Sequence, residues 1–362
     1  MSNPSSVPGP REDAKIVFYS VGLGQMAVSV GKWEATSASG PFCHMEAEAL
    51  RLPGGRLQIF GGFAAFTRVN GPRSALLDEG ALRWTRAFGP PLPRDLGRTH
   101  AGTAVDAEGT AYVVSGQPGP CCGPATAAAW RLSREGKWAP IAALPEIRYG
   151  GTMQYSRVDH ALHLVAGTTE DRATVSCDHW VYSLAENVWA RGAPIPLGGD
   201  HLASVLTGDG RRMYVVGGEH GHAAIRHDQK YVPGSYVAHP FLFRYDVEDR
   251  VWTRLADLPR AVHHAENQTL LLPHQDERFI VVVGGSTDGD MLVRHVQVYD
   301  RAEDRWTLFE NGLPVGLKGG VAWFRPSDQC VYVTGGQTAR SARDARPGAV
   351  VRTTIRAKLT VS

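Results

Sequence analysis

Fourteen of the 362 residues are histidine, and four of these stand at similar places near the start of apolar runs. They are His44 in PFCHMEAEAL, His100 in GRTHAGTAV, His201 in GGDHLASVL and His264 in VHHAENQTL. Two comparable segments, IRYGGTMQY and LKGGVAWF, carry Tyr149 and Lys318-Gly319 at that place. Neutral imidazole ligates Zn, Cu, Fe and Ni. Four imidazoles brought together from four strand starts would therefore hold a transition metal (Fe, Cu or Zn). Glu46 and Glu266 each follow a histidine of the set by two residues. Strand alternation keeps such pairs on one face, where a carboxylate can accept the imidazole's other N–H and fix its tautomer. Tyr149 is then placed to touch a substrate as acid, base or hydrogen-bond donor. The competing reading has the same histidines capping strand starts and bonding loop backbone.

A second histidine group lies in EHGHAAIRHDQKYVPGSYVAHP (219–240), which contains Glu219, His220, His222, His227 and His239. A long loop of this kind serves function or stays mobile, and here it is expected to act as a lid or rim over a site. Arg148, like Arg94, Arg98 and Arg260, lies near a turn, where a guanidinium can take a substrate carboxylate or phosphate or bond turn carbonyls. GSTDGDM (285–291) lacks the distal Glu of a Ca²⁺ loop. The chain shows no Ser/His/Asp spacing motif, phosphate-binding Gly loop or CxxC knuckle.

The elements that must position these residues are strands. The 41 Gly and 23 Pro are too many breakers for a helix-rich chain. A formal charge of +2 with no dense basic run argues against a nucleic-acid partner. No apolar stretch has membrane-spanning length, and no signal peptide is visible. The five cysteines fit a reducing compartment, so the expected location is cytoplasmic. Residues 1–14 read as a disordered tail and 15–362 as a single domain.

Apolar runs ending in a small-residue doublet recur: LQIFGG, AYVVSG, LHLVAG, MYVVGG, IVVVGG and VYVTGG, with second doublet residues at 62, 116, 167, 218, 285 and 336. Trp84, Trp138 and Trp189 each lie 22 residues beyond a doublet, and Trp306 lies 21 beyond. Trp252 lies 34 beyond, so its repeat carries an insertion. Each repeat reads as four strands, a to d, with the doublet ending b and the Trp in d. One such unit cannot bury both its faces, but a radial ring of them can.

Doublet glycine, Tyr-Asp and spaced Trp, as in RMYVVGG…FLFRYDVEDRVWTRLADLPR, resemble the kelch repeat. The resemblance spans about residues 15–362 and implies an all-β propeller whose a strands line a central channel. Counting KIVFYSV as a further b strand predicts seven blades, with six as the alternative, and a ring closed by N- and C-terminal strands. Kelch propellers include galactose oxidase, nitrile-specifier proteins and bacterial sialic acid mutarotase. The ligand logic of four His backed by Glu is similar to that of the carotenoid oxygenases. The resemblance and the histidine register together predict a metal-dependent oxidoreductase, oxygenase or lyase acting on a small molecule at one channel mouth. Two alternatives stand beside it. One is a metal-free interaction module with a protein partner on its loop face. The other is mutarotase-like isomerisation using Glu46, His100 or Arg148.

Overall fold

The computed structural model describes residues 28–361, apart from 66–67, 72, 86–90, 121–122, 223, 226–230, 233, 274–275, 311 and 339–348. The stretch read as a first b strand (15–21), the tail 1–14 and His227 lie outside the described residues.

Among the described residues the strands form six antiparallel blades around a channel. Blade I is Glu48–Leu52, Arg56–Phe60, Ser74–Asp78 and Arg83–Thr85 from inside to outside. Blades II to V repeat that order, beginning at Gly102–Val105, Thr152–Ser156, Ala203–Leu206 and Thr269–Leu271. Blade VI takes Val321–Arg325 and Cys330–Thr334, then the C-terminal Thr354–Val361, and is completed by the N-terminal Val28–Val30 and Glu34–Ala35, which both pair with that C-terminal strand. Chain ends therefore close the ring within one blade, and the count is six, the alternative. Trp33 belongs to this closing segment rather than to a separate blade. It is buried in a core cluster that also contains Leu359, Phe324 and residues of the blade V strands.

The repeat signature explains the packing. Both residues of every doublet have positive φ, including Ser115 (58°) and Ala166 (59°). The second is always Gly, because its N–H donates to a carbonyl of the next blade and the backbones meet there. The acceptors run Arg98, Arg148, Gly199, Val262, Leu317 and, across the closure, His44, which Gly336 reaches at 2.6 Å. A Cβ on Gly336 would lie 2.7 Å from the Lys318 carbonyl oxygen. Tryptophans fasten neighbouring blades: Trp189, Trp252 and Trp306 donate their indole N–H to Ala142, Ala193 and Ala256 of the preceding blade, each at 2.8 Å. Each also lies against the Tyr of its own c strand, Tyr182, Tyr245 or Tyr299, with centroids 4.9–5.0 Å apart. Among the described residues no helix is long and apolar enough to cross a membrane.

Candidate functional site

Before each a strand enters the channel, the chain makes one residue with positive φ. The six residues are Glu46 (52°), His100 (61°), Gly150 (60°), His201 (50°), His264 (55°) and Gly319 (61°). The left-handed region is costly for residues with a Cβ, about 1–2 kcal/mol. Glycine fills it at two positions, yet four carry Glu or His. Strain kept where Gly would relieve it clusters at functional sites.

The preceding residue in each blade bridges to the residue after the doublet: Met45 to Phe63, Thr99 to Gln117, Tyr149 to Thr168, Asp200 to Glu219, His263 to Ser286 and Lys318 to Gln337. These paired positions bring Asp200, His263, Lys318 and Glu219 to the same end of the channel. Loops between b and c strands add His222, Arg172 and Asp290.

The result is a dense, buried cluster. His201 stacks on His264, with centroids 3.6 Å apart, and on His222 at 5.1 Å, while His100 meets His201 edge-on at 4.9 Å. Glu46 places Oε2 3.5 Å from His100 Nε2 and Oε1 3.5 Å from His264 Nε2, with Lys318 Nζ 3.8 Å away. Lys318 also holds both oxygens of Asp290, at 3.0 and 3.1 Å. Burial pushes Glu46 up to about 7 and Glu266 up to about 7, and it raises Asp200 and Glu219 well above the carboxylate range. Burial likewise drives His100, His201, His222 and His264 well below the usual imidazole value, so their rings are neutral.

Partners fix the tautomers. Arg172, which can only donate, gives Nη2–H to His222 Nε2 at 3.1 Å. His222 therefore carries its proton on Nδ1 and donates it to Glu219 Oε1 at 2.8 Å, with Asp200 Oδ2 3.2 Å away. His201 Nδ1 lies 2.5 Å from Glu266 Oε1, so any ligand must be met by Nε2. His201 Nε2, Asp200 Oδ1 and Glu219 Oε2 are buried without a hydrogen-bond partner. Asp200, His201, Glu219 and His222 bring one donor atom each within 4.8 Å of one another. The tautomer of His222 makes it the group that orients the carboxyl groups of Glu219 and Asp200.

A cavity of about 490 Å³ begins at Glu46, His100, His201 and Glu266 and follows the a strands past Gln154, Ser204 and Arg51 to the a–b turns at Gly55 and Glu277. The cluster thus sits at the loop end of the channel, covered by the b–c loops and bordering the cavity from above.

The other anticipated residues are placed as follows. His44 lies two residues before the ring position, outside the cluster. Its Nδ1 is 3.0 Å from the Phe42 carbonyl, its ring fills the space over Gly335, and burial lowers its pKa to about 4. Glu46 occupies the place His44 was expected to fill. Tyr149 donates its hydroxyl to the Gly123 carbonyl at 3.0 Å and lies under the Arg172 guanidinium, 4.6 Å from its centroid. Arg148 pairs with Glu146 and Asp178 between blades II and III. His220 stacks on His239, with centroids 4.9 Å apart. Asp200, His263 and Arg172 were absent from the sequence-derived set. The Asp200-His201 and His263-His264 pairs were its available signal, whereas nothing in TTEDRAT marked Arg172 as buried.

No protein-family profile matches the chain. A kelch repeat-containing protein of Arabidopsis thaliana is 27% identical over 342 residues, covering 91% of this chain and 76% of the relative. Beta-scruin of Limulus polyphemus is 26% identical over 171 residues, 47% of this chain and 16% of that protein. The solved structure of YjhT superposes with a TM-score of 0.65 at 14% identity, covering 90% of this chain and 99% of the other. The doublets, the spaced tryptophans, the six-bladed ring and these similarities identify the chain as a kelch-repeat β-propeller.

Proposed function

We propose that the chain is a metal-dependent enzyme whose site lies at the loop end of the channel, and that a small molecule reaches it through the cavity. The observation that carries this reading is the pair of buried, unpartnered donor atoms Asp200 Oδ1 and His201 Nε2 within the donor cluster that also contains Glu219. They belong to a cluster in which five carboxylates (Glu46, Asp200, Glu219, Glu266 and Asp290) face two permanent cations, Arg172 and Lys318. The mixed nitrogen and oxygen donors suit a divalent first-row ion such as Zn, Fe or Mn. Such an ion supplies Lewis acidity and a bound hydroxide near neutral pH. His222 and Glu266 orient the donors, and Arg172 holds the His222 tautomer. Glu46 borders the cavity beside two imidazoles, with its pKa raised to about 7, and so can take or give a proton at neutral pH.

Elemental analysis of protein purified without chelator tests the reading. A stoichiometric transition metal that is lost in His201→Ala and Asp200→Asn is the expected result, and a wild-type protein free of metal at all purification conditions overturns it. The Glu46 geometry also favours a second reading, metal-free acid–base isomerisation. Under that reading turnover survives exhaustive chelation but not Glu46→Gln.

A further inference from the structure

We infer that the channel holds a second metal ion beside the first, with Glu219 bridging the two and His263 and His264 completing the second site. This inference rests on the metal-centre reading above.

The two oxygens of Glu219 face different groups. Oε1 meets His222 at 2.8 Å on the Asp200 side, while Oε2 lies 2.9 Å from His263 Nδ1. That second contact is not a hydrogen bond, since Oε2 has no hydrogen-bond partner. The His263 tautomer explains why. Its Nε2 lies 3.1 Å from the Thr287 carbonyl, which can only accept, so Nε2 carries the proton and neutral Nδ1 is a lone pair. His264 Nδ1 lies 2.5 Å from the same atom. The nearest hydroxyl, Ser286 Oγ, is 3.4 Å away. Without a metal these three atoms must share protons among themselves; a cation placed among them can bind all three at once.

Glu219, His263 and His264 form a separate set of donors within 4.8 Å of one another, sharing only Glu219 with the first. Two histidines and one carboxylate suit a divalent transition ion with open positions. A carboxylate oxygen has two lone pairs, so Oε1 can keep the His222 bond while ligating the first ion. Carboxylate-linked ions of this kind stand about 3.5–4 Å apart and clamp two oxygens of one reacting group. Cis ligands at about 2.1 Å lie about 3 Å from each other, so loading moves the His263 and His264 rings apart by about 0.5 Å.

The test is metal stoichiometry on the full-length protein reconstituted with Co²⁺, read by elemental analysis and by magnetic coupling in the EPR spectrum. Two ions per chain with a coupled signal, falling to one uncoupled ion in His263→Ala, is the expected result. One ion per chain in the wild type overturns the second site while leaving the first reading intact. No bound ion overturns both. Because the wild-type count alone decides between these outcomes, a failure of His263→Ala to fold does not blunt the test. His264→Gln provides the second variant, with the same fall to one ion expected.

Discussion

His201 and Glu266 meet across the seam between blades IV and V, imidazole Nδ1 to carboxylate Oε1 at 2.5 Å. The bond does more than join two blades. It occupies Nδ1 and leaves Nε2 as the buried nitrogen without a hydrogen-bond partner. Groups that fix a ligand's tautomer in this way typically contribute 10–100-fold to metal affinity. Glu266→Leu is therefore expected to weaken metal binding by about 10–100-fold. Glu266→Gln, whose amide oxygen still accepts the N–H, restores most of the loss. Competition with a chromophoric chelator measures both.

The Lys318–Asp290 pair predicts a stability effect that is independent of metal. Both side chains are almost fully buried, and Lys318 contacts both Asp290 oxygens. Removing one partner strands a buried charge, at a cost of about 3–5 kcal/mol. Lys318→Met is expected to lose that much in urea unfolding, and adding Asp290→Leu should recover most of it.

Glu48 predicts a pH dependence. It lines the channel and accepts the Ala101 N–H at 2.9 Å, but burial outweighs that bond and raises its pKa to about 8. The folded chain holds this proton where the unfolded chain has released it. Its contribution to stability is complete below the unfolded value near 4.5 and is lost as pH rises through about 8. The buried histidines, whose values are lowered, do not add to the slope above their unfolded value of ~6.5. Between pH 6.5 and 8 the metal-free protein should lose about 2 kcal/mol through Glu48. Glu48→Gln should reduce the fall by that amount in denaturant titrations at successive pH values, the remaining slope coming from Glu46, Glu266, Asp200 and Glu219, whose values burial also raises.

The doublets predict an asymmetry between their two residues. Gly336 combines a φ of 92° with a Cβ position 2.7 Å from both the Lys318 carbonyl oxygen and Leu317 Cδ1. Strain and overpacking together should cost Gly336→Ala about 2–4 kcal/mol. Ala166, at the first place of its doublet, already carries a Cβ at a φ of 59°. Ala166→Gly should change stability by no more than about 1 kcal/mol, as thermal unfolding will show.

These residues also mark what the sequence could reveal. Doublets and tryptophans are fixed by backbone contact and by indole bonds between blades, so their types recur and the ring was readable. The blade count was harder. Val28–Val30 is an outer strand of the blade built from the other chain end, and a pairing across more than 300 residues leaves no local pattern. His100, His201 and His264 stood out by type and spacing. His44 shares their residue type but not their position, because the shared property is a positive φ, which Glu46 has and which no single residue type reports. Arg172 is buried where its guanidinium meets Gln117, Tyr149 and His222, partners from three other stretches of chain, and such contacts are invisible in its own segment.

The cluster at the channel end takes Glu46 from blade I, His100 from II, Arg172 from III, His201 from IV, His264 from V and Lys318 from VI. No contiguous stretch of chain contains it, and the full set exists only when all six blades stand in the ring. The appearance of metal affinity during refolding would then time the completion of the ring.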